Sequence, residues 1–298
     1  MNVMPSETGQ IVWRHKNVID LAGWSREELY FILDQARHME NVMDRPIKKV
    51  PVLRGKMCVN LFFENSTRTR ASFELAEKML SADVVNWSSA GSSTAKGETM
   101  RDTAWTLEAM GADIVVLRHR SVGAAQYLAS KLKRAIVLNA GTHAHPTQAL
   151  LDLYTAWKHL GNLSGKKIAF VGDVLHSRVA RSDIIGFNTI GCKVVVSGPP
   201  TMMPKNIEAL GCEYENDPKK AVQEADMVYL LRIQKERQQD GLFPSVDEYH
   251  KWWGADKNLI AYAKPDALVM HPGPLNRGVE IASDISDGHQ SVILEQVR

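Results

Sequence analysis

Short apolar segments alternate with amphipathic helical segments along almost the whole chain. The segments of strand length span residues 57–63, 84–87, 114–117, 136–138, 168–171, 194–196, 227–231 and 268–270. Strands that alternate with helices predict parallel sheets covered by helices. The strands form two sets of four, at about 50–140 and 165–272, and a predicted helix at 146–160 joins them. We therefore predict an α/β fold with two domains, each a mostly parallel sheet flanked by helices.

The ends of two helices are marked by local signals. Ser25 and Glu28 fit a capping box at the start of a helix that is predicted to run to Met43. Pro146 suits the first position of the joining helix, and Gly161 suits its end.

Residues 57–80 are predicted to form a strand, a turn and a helix whose first turn is cationic. The helix starts with Ser66, Thr67, Arg68, Thr69 and Arg70. Hydroxyl residues begin helices and can bond the free amides of a first turn. The helix dipole favours acidic residues there, so two arginines in their place indicate a site for an anion such as phosphate. The alternative is an ordinary helix start whose arginines are solvated.

Other polar groups also come directly after predicted strands. They are Arg118, His143, His145, Arg178, Arg232 and His271. Ligands of open α/β sheets bind at the carboxyl ends of the strands, and two such edges that face each other form one cleft. A concentration of cations with few acids predicts polyanionic ligands. Any one of these arginines alone would more often be a solvated or structural cation, so the prediction depends on their shared position.

Several other functions lack their usual sequence signals. The chain has no Walker lysine motif, no three-glycine dinucleotide fingerprint and no GxSxG motif. A net charge of +2 without a long basic run gives no support to nucleic-acid binding, and no apolar run approaches membrane length. The three cysteines form no CxxC pair, which favours a reduced compartment without structural zinc. His143 and His145 form an HxH pair, which is weak evidence for a metal without further ligands.

Four strings carry a resemblance to a known family. FFENSTRTRASFE, HPTQALLDL, RIQKER and HPGPLNRGVEI occur in the order in which they stand in the catalytic chains of aspartate carbamoyltransferase, which the whole chain resembles. The resemblance implies a carbamoyl-phosphate-binding domain at 1–146 and an aspartate-binding domain at 147–287, with 288–298 a candidate to join the first. The resemblance also implies a terminal helix that crosses back to the first domain, and we expect residues 288–298 to form only its beginning.

The resemblance implies a reaction and roles for individual residues. Carbamoyl phosphate and L-aspartate would give N-carbamoyl-L-aspartate and phosphate, a step of pyrimidine synthesis. The residues that match the binders of carbamoyl phosphate are Ser66, Thr67, Arg68, Thr69, Arg118, His145 and Gln148, and those that match the binders of aspartate are Arg178, Arg232 and Gln234. The backbone of Pro272 and Gly273 would accept bonds from the carbamoyl amide. The groups expected to act on the reacting atoms are His145, Arg118, Thr69 and Arg68.

The resemblance also implies partners. Ser92 and Lys96 match residues that a neighbouring subunit supplies, Ser92 to carbamoyl phosphate and Lys96 to both substrates, so a homotrimer with shared sites is expected. No cofactor or metal is needed, and the expected location is the cytoplasm. The sequence leaves open whether a regulatory chain or a dihydroorotase associates.

Two other functions stay open. An ornithine carbamoyltransferase would share the STRTR turn but carry a cysteine next to the histidine after the last strand, where this chain has His271-Pro272. Another amino acid could replace ornithine in such an enzyme. An inactive homologue acting as a scaffold would lack turnover, and an assay for carbamoyl aspartate separates it from an enzyme.

Overall fold

The first half of the chain forms a four-stranded parallel sheet. The computed structural model describes residues 11–88, 98–233, 242–243 and 245–298. The elements of the first half are α1 (Arg26–Met43), β1 (Met57–Phe62), α2 (Thr67–Met79), β2 (Asp83–Ser88), α3 (Met100–Ala109), β3 (Ile114–Arg118), α4 (Ala124–Lys131) and β4 (Ile136–Asn139). The strand order is β2-β1-β3-β4, and every neighbouring pair is parallel.

The second half repeats this plan with one more strand. Its elements are α5 (Pro146–Leu160), β5 (Lys167–Gly172), α6 (Arg178–Ile190), β6 (Lys193–Ser197), β7 (Glu213–Tyr214), α7 (Pro218–Val222), β8 (Met227–Leu231), α8 (Val246–Trp253), α9 (Lys257–Ile260), β9 (Leu268–Met270), α10 (Ser283–Ser286) and α11 (Ile293–Val297). The parallel strand order is β7-β6-β5-β8-β9. The predicted α/β class is confirmed. The predicted count of four strands in this half is wrong, because the two-residue β7 is too short to show a periodic pattern.

The predicted ends of α1 and α5 are also found. The Ser25 hydroxyl accepts a hydrogen bond from the Glu28 amide, and the Glu28 carboxylate accepts one from the Ser25 amide. Pro146 is the first residue of α5, and Gly161 closes it with a positive φ of 68°. These boundaries depend on residues close in sequence, which is why local patterns predict them.

The largest apolar core joins the beginning of the chain to its second half. Leu29 and Leu33 of α1 pack in one buried cluster with Leu153 of α5, Phe187 of α6 and Phe170 of β5. Helix α5 therefore lies between the two sheets, with α1 and α6 packed on it. The two carboxyl edges are held next to each other by this packing, which positions the cleft.

The C-terminal segment packs mainly on the second sheet. Ser291 forms an isolated parallel bridge with Val269 of β9, and Ile293 is buried in the second core cluster. Arg298 forms an ion pair with Asp44 at the end of α1. The domain boundaries stay a prediction. In the part of the chain that the structure describes, no helix has the length and apolar content to span a bilayer.

Candidate active site

The predicted polar groups lie at the carboxyl ends of strands in both sheets, which border the cleft between the two sheets. Arg118 ends β3, and His145 precedes α5 after β4. Arg178 opens α6 after β5, and Arg232 follows β8. Arg118 and His145 therefore lie on the carboxyl edge of the first sheet, and Arg178 and Arg232 on that of the second, because parallel strands place these ends on common edges.

Helix α2 begins without the usual side-chain cap. Ser66 occupies the N-cap position, but its hydroxyl makes no capping hydrogen bond, and no acidic residue lies in the first turn. The sequence predicted free amides at this helix start, and the Ser66 side chain does not cap them. A helix start whose first amide N–H groups have no side-chain cap, with the Arg68 guanidinium beside them, can bind an anion.

Arg68 reaches across the cleft to the loop after β9. A Cβ atom added at Gly273 would lie 2.4 Å from Arg68 Nη1, so the approach requires glycine, which also has a positive φ of 57°. Burial and the charge of the nearby Arg232 guanidinium lower the pKa of Arg68. Arg68 of α2, Arg232 after β8 and Gly273 after β9 thus border the same space.

Arg118 lies against the turn after β4. Its Nη1 atom donates to the carbonyl of Ala140 at 2.9 Å. A Cβ atom at Gly141, whose φ is 117°, would come within 2.8 Å of Arg118 Nη1 and 3.4 Å of His145 Cδ2. Arg118 and His145 are therefore neighbours on the same side of the cleft, and the glycine between them leaves room for both.

Glu64 connects the two domains through an ion pair with Arg178. Its carboxylate accepts from Arg178 Nη1 at 2.7 Å and from Arg178 Nη2 at 3.0 Å, a bidentate pair. The same carboxylate lies 3.6 Å from Arg118 Nε, and Arg178 also donates to the Gly141 carbonyl at 3.0 Å. Sequence reasoning missed Glu64. The available signal was a single acid directly before an arginine-rich turn.

His145 is buried, and one of its ring nitrogens is committed as an acceptor. Its Nδ1 atom accepts from the Gln148 amide at 3.3 Å, and a backbone N–H can only donate. A neutral ring therefore carries its hydrogen on Nε2, where it can donate to a ligand. The His145 amide donates to the Ser182 hydroxyl on α6 at 2.9 Å, which anchors this turn to the second domain.

Gln148 continues into a buried polar cluster behind the cleft. Its Nε2 atom donates to Asp152 Oδ1 at 3.1 Å. Asp152 also accepts from Tyr229 and from Gln296, and Asp183 lies beside it. The sequence analysis predicted Gln148 but not Asp152, Asp183, Tyr229 or Gln296. Their contacts join distant parts of the chain, and no local pattern marks them.

His271 has a structural place instead of an exposed one. Its side chain is buried, its Nε2 lies 3.1 Å from Glu280 Oε1, and its Nδ1 accepts from the Gly273 amide at 2.8 Å. Burial lowers the pKa of this histidine. The ring shapes the loop that carries Pro272 and Gly273 and does not itself face the cleft, although the sequence grouped it with the reactive residues.

A cationic cavity of about 430 Å³ adjoins Arg178. Its lining includes His143 and Arg181, and His143 lies 3.2 Å from Gln126 Nε2. Within the described ranges no group of three histidine, cysteine, aspartate or glutamate side chains could hold a metal ion. Three predicted site residues, Ser92, Lys96 and Gln234, lie outside the described residues.

Two family models together cover almost the whole chain. Residues 16–158 match the carbamoyl-P binding domain of aspartate/ornithine carbamoyltransferase, and residues 164–298 match the Asp/Orn binding domain of the same family. The chain is 52% identical over 290 residues to the aspartate carbamoyltransferase catalytic subunit of Anaeromyxobacter sp. (strain K), covering 97% of this chain and 93% of that one. It is 52% identical over 286 residues to the subunit of the same name from Halothermothrix orenii, covering 95% and 91%.

Solved structures of two related enzymes share the fold. Aspartate transcarbamoylase from Trypanosoma cruzi in complex with carbamoyl phosphate superposes with a TM-score of 0.85 at 30% identity, covering 95% of this chain and 91% of that one. Ornithine carbamoyltransferase from Pyrococcus furiosus superposes with a TM-score of 0.82 at 30% identity, covering 94% and 92%. The fold is common to both, so substrate choice has to be argued from the site and from the sequence relatives.

Proposed function

The chain belongs to the aspartate/ornithine carbamoyltransferase family, and on that premise we propose how its residues perform the reaction. The reaction is transfer of the carbamoyl group of carbamoyl phosphate to the amine of L-aspartate, which gives N-carbamoyl-L-aspartate and phosphate. We also propose that the product, N-carbamoyl-L-aspartate, is used in pyrimidine synthesis. The observation that carries the residue roles is the Glu64 carboxylate shared by Arg118 of the first domain and Arg178 of the second, with Arg68 and Arg232 adjacent to each other at the neighbouring strand ends.

Aspartate fits this cleft better than ornithine. A substrate with two carboxylates needs two cationic partners, and Arg178 and Arg232 come from separate strand ends of the second domain. An ornithine side chain carries an ammonium group, which an arginine would repel. The relatives that match at 52% identity are aspartate enzymes, in agreement with this argument.

The phosphate of carbamoyl phosphate binds at the start of α2. Free amides, the hydroxyls of Ser66, Thr67 and Thr69 and the guanidinium of Arg68 would surround it. The same groups stabilise the phosphate as it leaves, because the departing group gains negative charge. No covalent intermediate is needed.

The carbamoyl carbonyl points at donors on the first domain. Attack by an amine turns this oxygen into an oxyanion, which Arg118, Thr69 and the Nε2 hydrogen of His145 can bind. His145 is preset for this role, since its Nδ1 already accepts from the Gln148 amide. Each such donor is worth roughly 10²–10³ in rate. The amide of the carbamoyl group would donate to the Gln148 side chain and to the backbone at Pro272 and Gly273.

Aspartate binds on the second domain with its amine toward the carbonyl carbon. Arg178 would hold the α-carboxylate, and Arg232 together with Gln234 would hold the side-chain carboxylate. Glu64 keeps the Arg178 guanidinium beside the first domain. Holding both substrates in attack geometry removes a large entropic barrier.

A homotrimer with shared sites completes the proposal. Several apolar side chains of the first domain are exposed: Leu75 of α2 is 63% exposed, Val85 of the edge strand β2 37%, Ile47 76% and Val52 65%. Exposed apolar groups of this kind fit a subunit contact. Such a contact would carry the partner's Ser92 and Lys96 toward the site. All three cysteines are free and buried, which fits a cytoplasmic location.

Product formation tests the function directly. Purified protein with carbamoyl phosphate should convert L-aspartate to carbamoyl aspartate and release phosphate, with L-ornithine far slower. Faster turnover of ornithine would overturn the substrate assignment, and absence of turnover with either would favour a scaffold. A structure with a bisubstrate analogue that joins a phosphonate to aspartate would test the residue roles.

A further inference from the structure

The Asp152 carboxylate lies one helical turn behind Gln148 and gathers hydrogen-bond donors from three elements. Gln148 Nε2 of α5 donates to its Oδ1 at 3.1 Å, and Gln296 Nε2 of α11 donates to the same atom at 2.7 Å. The Tyr229 hydroxyl of β8 donates to Oδ2 at 2.7 Å. Asp152 is fully buried, and all of these partners belong to the part of the chain that the structure describes.

A second buried carboxyl group shares this space. Asp183 of α6 is also fully buried, and neither of its oxygens accepts a hydrogen bond from another described residue. Two adjacent carboxylates cannot both ionise in such surroundings. Burial raises the pKa of Asp152 to about 6, and burial together with the Asp152 charge raises the pKa of Asp183 further above its usual value. Asp183 therefore carries the proton, and Asp152, which receives three donors, is the ionised member.

An ionised Asp152 dictates which end of the Gln148 amide faces the cleft. A carboxylate only accepts hydrogen bonds, so it must take the NH₂ end of Gln148, and the carbonyl end is turned away. If Asp152 were protonated or absent, the amide could turn round. The proposed function places Gln148 at the amide of the carbamoyl group, where only the carbonyl end of Gln148 can accept from that NH₂.

The same carboxylate is linked to the loop on the other side of the carbamoyl amide. Gln296, which donates to Asp152, accepts a hydrogen bond from the His271 amide at 2.9 Å. His271 begins the loop of Pro272 and Gly273, whose backbone is the other proposed acceptor for the carbamoyl NH₂. Both acceptors are therefore linked to Asp152, Gln148 directly and the loop of Pro272 and Gly273 through Gln296.

We propose that Asp152 is a positioning residue that fixes the orientation of the Gln148 amide and thereby the preference of the site for a carbamoyl over an acetyl donor. The proposal rests on the proposed function and deepens it. Acetyl phosphate has nearly the shape of carbamoyl phosphate but a methyl group in place of NH₂. A correctly oriented Gln148 gains a hydrogen bond from the first and faces an apolar group in the second.

The test measures dissociation constants for carbamoyl phosphate, acetyl phosphate and inorganic phosphate by titration, so it does not depend on turnover. Asp152→Ala should raise the dissociation constant of carbamoyl phosphate about tenfold. The dissociation constants of acetyl phosphate and inorganic phosphate should change by less than about twofold. In a Gln148→Leu background, Asp152→Ala should not change the preference for carbamoyl phosphate over acetyl phosphate any further, because the amide that Asp152 orients is absent. An equal effect of Asp152→Ala in both backgrounds would overturn the proposal.

A second variant covers the case in which Asp152→Ala does not fold. Asp152→Asn keeps the shape but can present its own NH₂ to Gln148 and turn that amide round, so the carbamoyl preference should fall by at least about threefold. Asp226→Asn is the matched control: it is a buried carboxylate paired with Lys166 and Lys264 outside the cleft, and it should leave the preference unchanged. An unchanged preference in Asp152→Asn would contradict the proposal.

The same titrations separate failure of the inference from failure of the proposed function. Failure of the unmodified protein to bind carbamoyl phosphate would remove the proposed function and this inference with it. Binding of carbamoyl phosphate with a preference that Asp152 variants do not alter would remove the inference alone.

Discussion

Glu64 and Arg178 form a bidentate ion pair between the two domains, with oxygen–nitrogen distances of 2.7 and 3.0 Å. Glu64 follows β1 of the first sheet, and Arg178 is the first residue of α6 beside the second. Both side chains are mostly buried, at 22% and 13% exposure, so solvent screens the pair only partly. The pair holds the Arg178 guanidinium of the second domain against the carboxyl edge of the first sheet.

Removal of the Glu64 charge should therefore impair aspartate use. We expect Glu64→Gln to lower kcat/KM for aspartate by about 10- to 100-fold, the cost of a lost charge-assisted pair. Affinity for carbamoyl phosphate should stay within about threefold. Steady-state kinetics in both substrates measure this, with Glu74→Gln on the outer side of α2 as control. A normal aspartate KM and kcat in Glu64→Gln would show that Arg178 needs no such partner.

Arg68 should carry a large part of the phosphate affinity. Arg68→Ala removes a guanidinium at the start of α2, and the dissociation constant of carbamoyl phosphate should rise about 10- to 100-fold. The dissociation constant of inorganic phosphate should rise by a similar factor, because the contact is with the phosphoryl group. Calorimetric titration measures both. Arg54→Ala, an exposed arginine before β1, is the control; equal affinities in the two variants would argue against the helix-start site.

His145 should affect turnover more than binding. His145→Ala deletes one donor to the oxyanion and should lower kcat by roughly 10²–10³. His145→Gln keeps an N–H group and should retain more activity. The control is His159→Ala, at the far end of the same helix, where the ring contacts Glu295. Full activity in His145→Ala would exclude the proposed contact with the carbonyl oxygen.

Shared sites can be tested by mixing inactive chains. Lys96→Ala and Arg178→Ala should each be nearly inactive alone. After subunit exchange, mixed trimers contain some sites with both native residues, so part of the activity should return. Mass spectrometry of the assembled protein confirms exchange. No recovery in confirmed mixed assemblies would mean that each chain holds a complete site.

Glu77 should make the protein less stable as the pH rises. This α2 residue is 5% exposed, accepts from Asn60 Nδ2 at 2.9 Å, and burial raises its pKa from 4.5 to about 7. The folded state therefore holds a proton that the unfolded state has lost, so the stabilisation is complete below about pH 4.5 and is lost as the pH rises through about 7. The full change is about 3 kcal/mol.

Glu77→Gln should remove that dependence. Urea unfolding at pH 5 and pH 8 should show a smaller loss of stability in the variant than in the unmodified protein. Glu27→Gln on α1 serves as the control, because the hydrogen bond with Ser25 lowers the pKa of Glu27 and gives no loss in this range. Parallel curves for Glu77→Gln and the unmodified protein would contradict the assignment.

Local patterns predicted most elements but not every contact in the cleft. The strand at 57–63 and the helix at 25–43 were predictable because apolar spacing and capping residues act within a few positions. The strand Glu213–Tyr214 has too few residues to form a pattern. Residue type alone also could not show that the Ser66 side chain makes no capping hydrogen bond, because serine is common at the start of a helix.

By itself the sequence determined the alternating fold and the class of ligand. Strand-length apolar segments, each followed by cationic or hydroxyl residues, place those residues at sheet edges whichever way the details pack. Only the tertiary structure decided which groups act on one another. Glu64 and Arg178 are 114 positions apart, and Asp152 meets Tyr229 and Gln296 across 77 and 144 positions. Such pairs form when sheets and helices pack, and no periodicity along the chain specifies them.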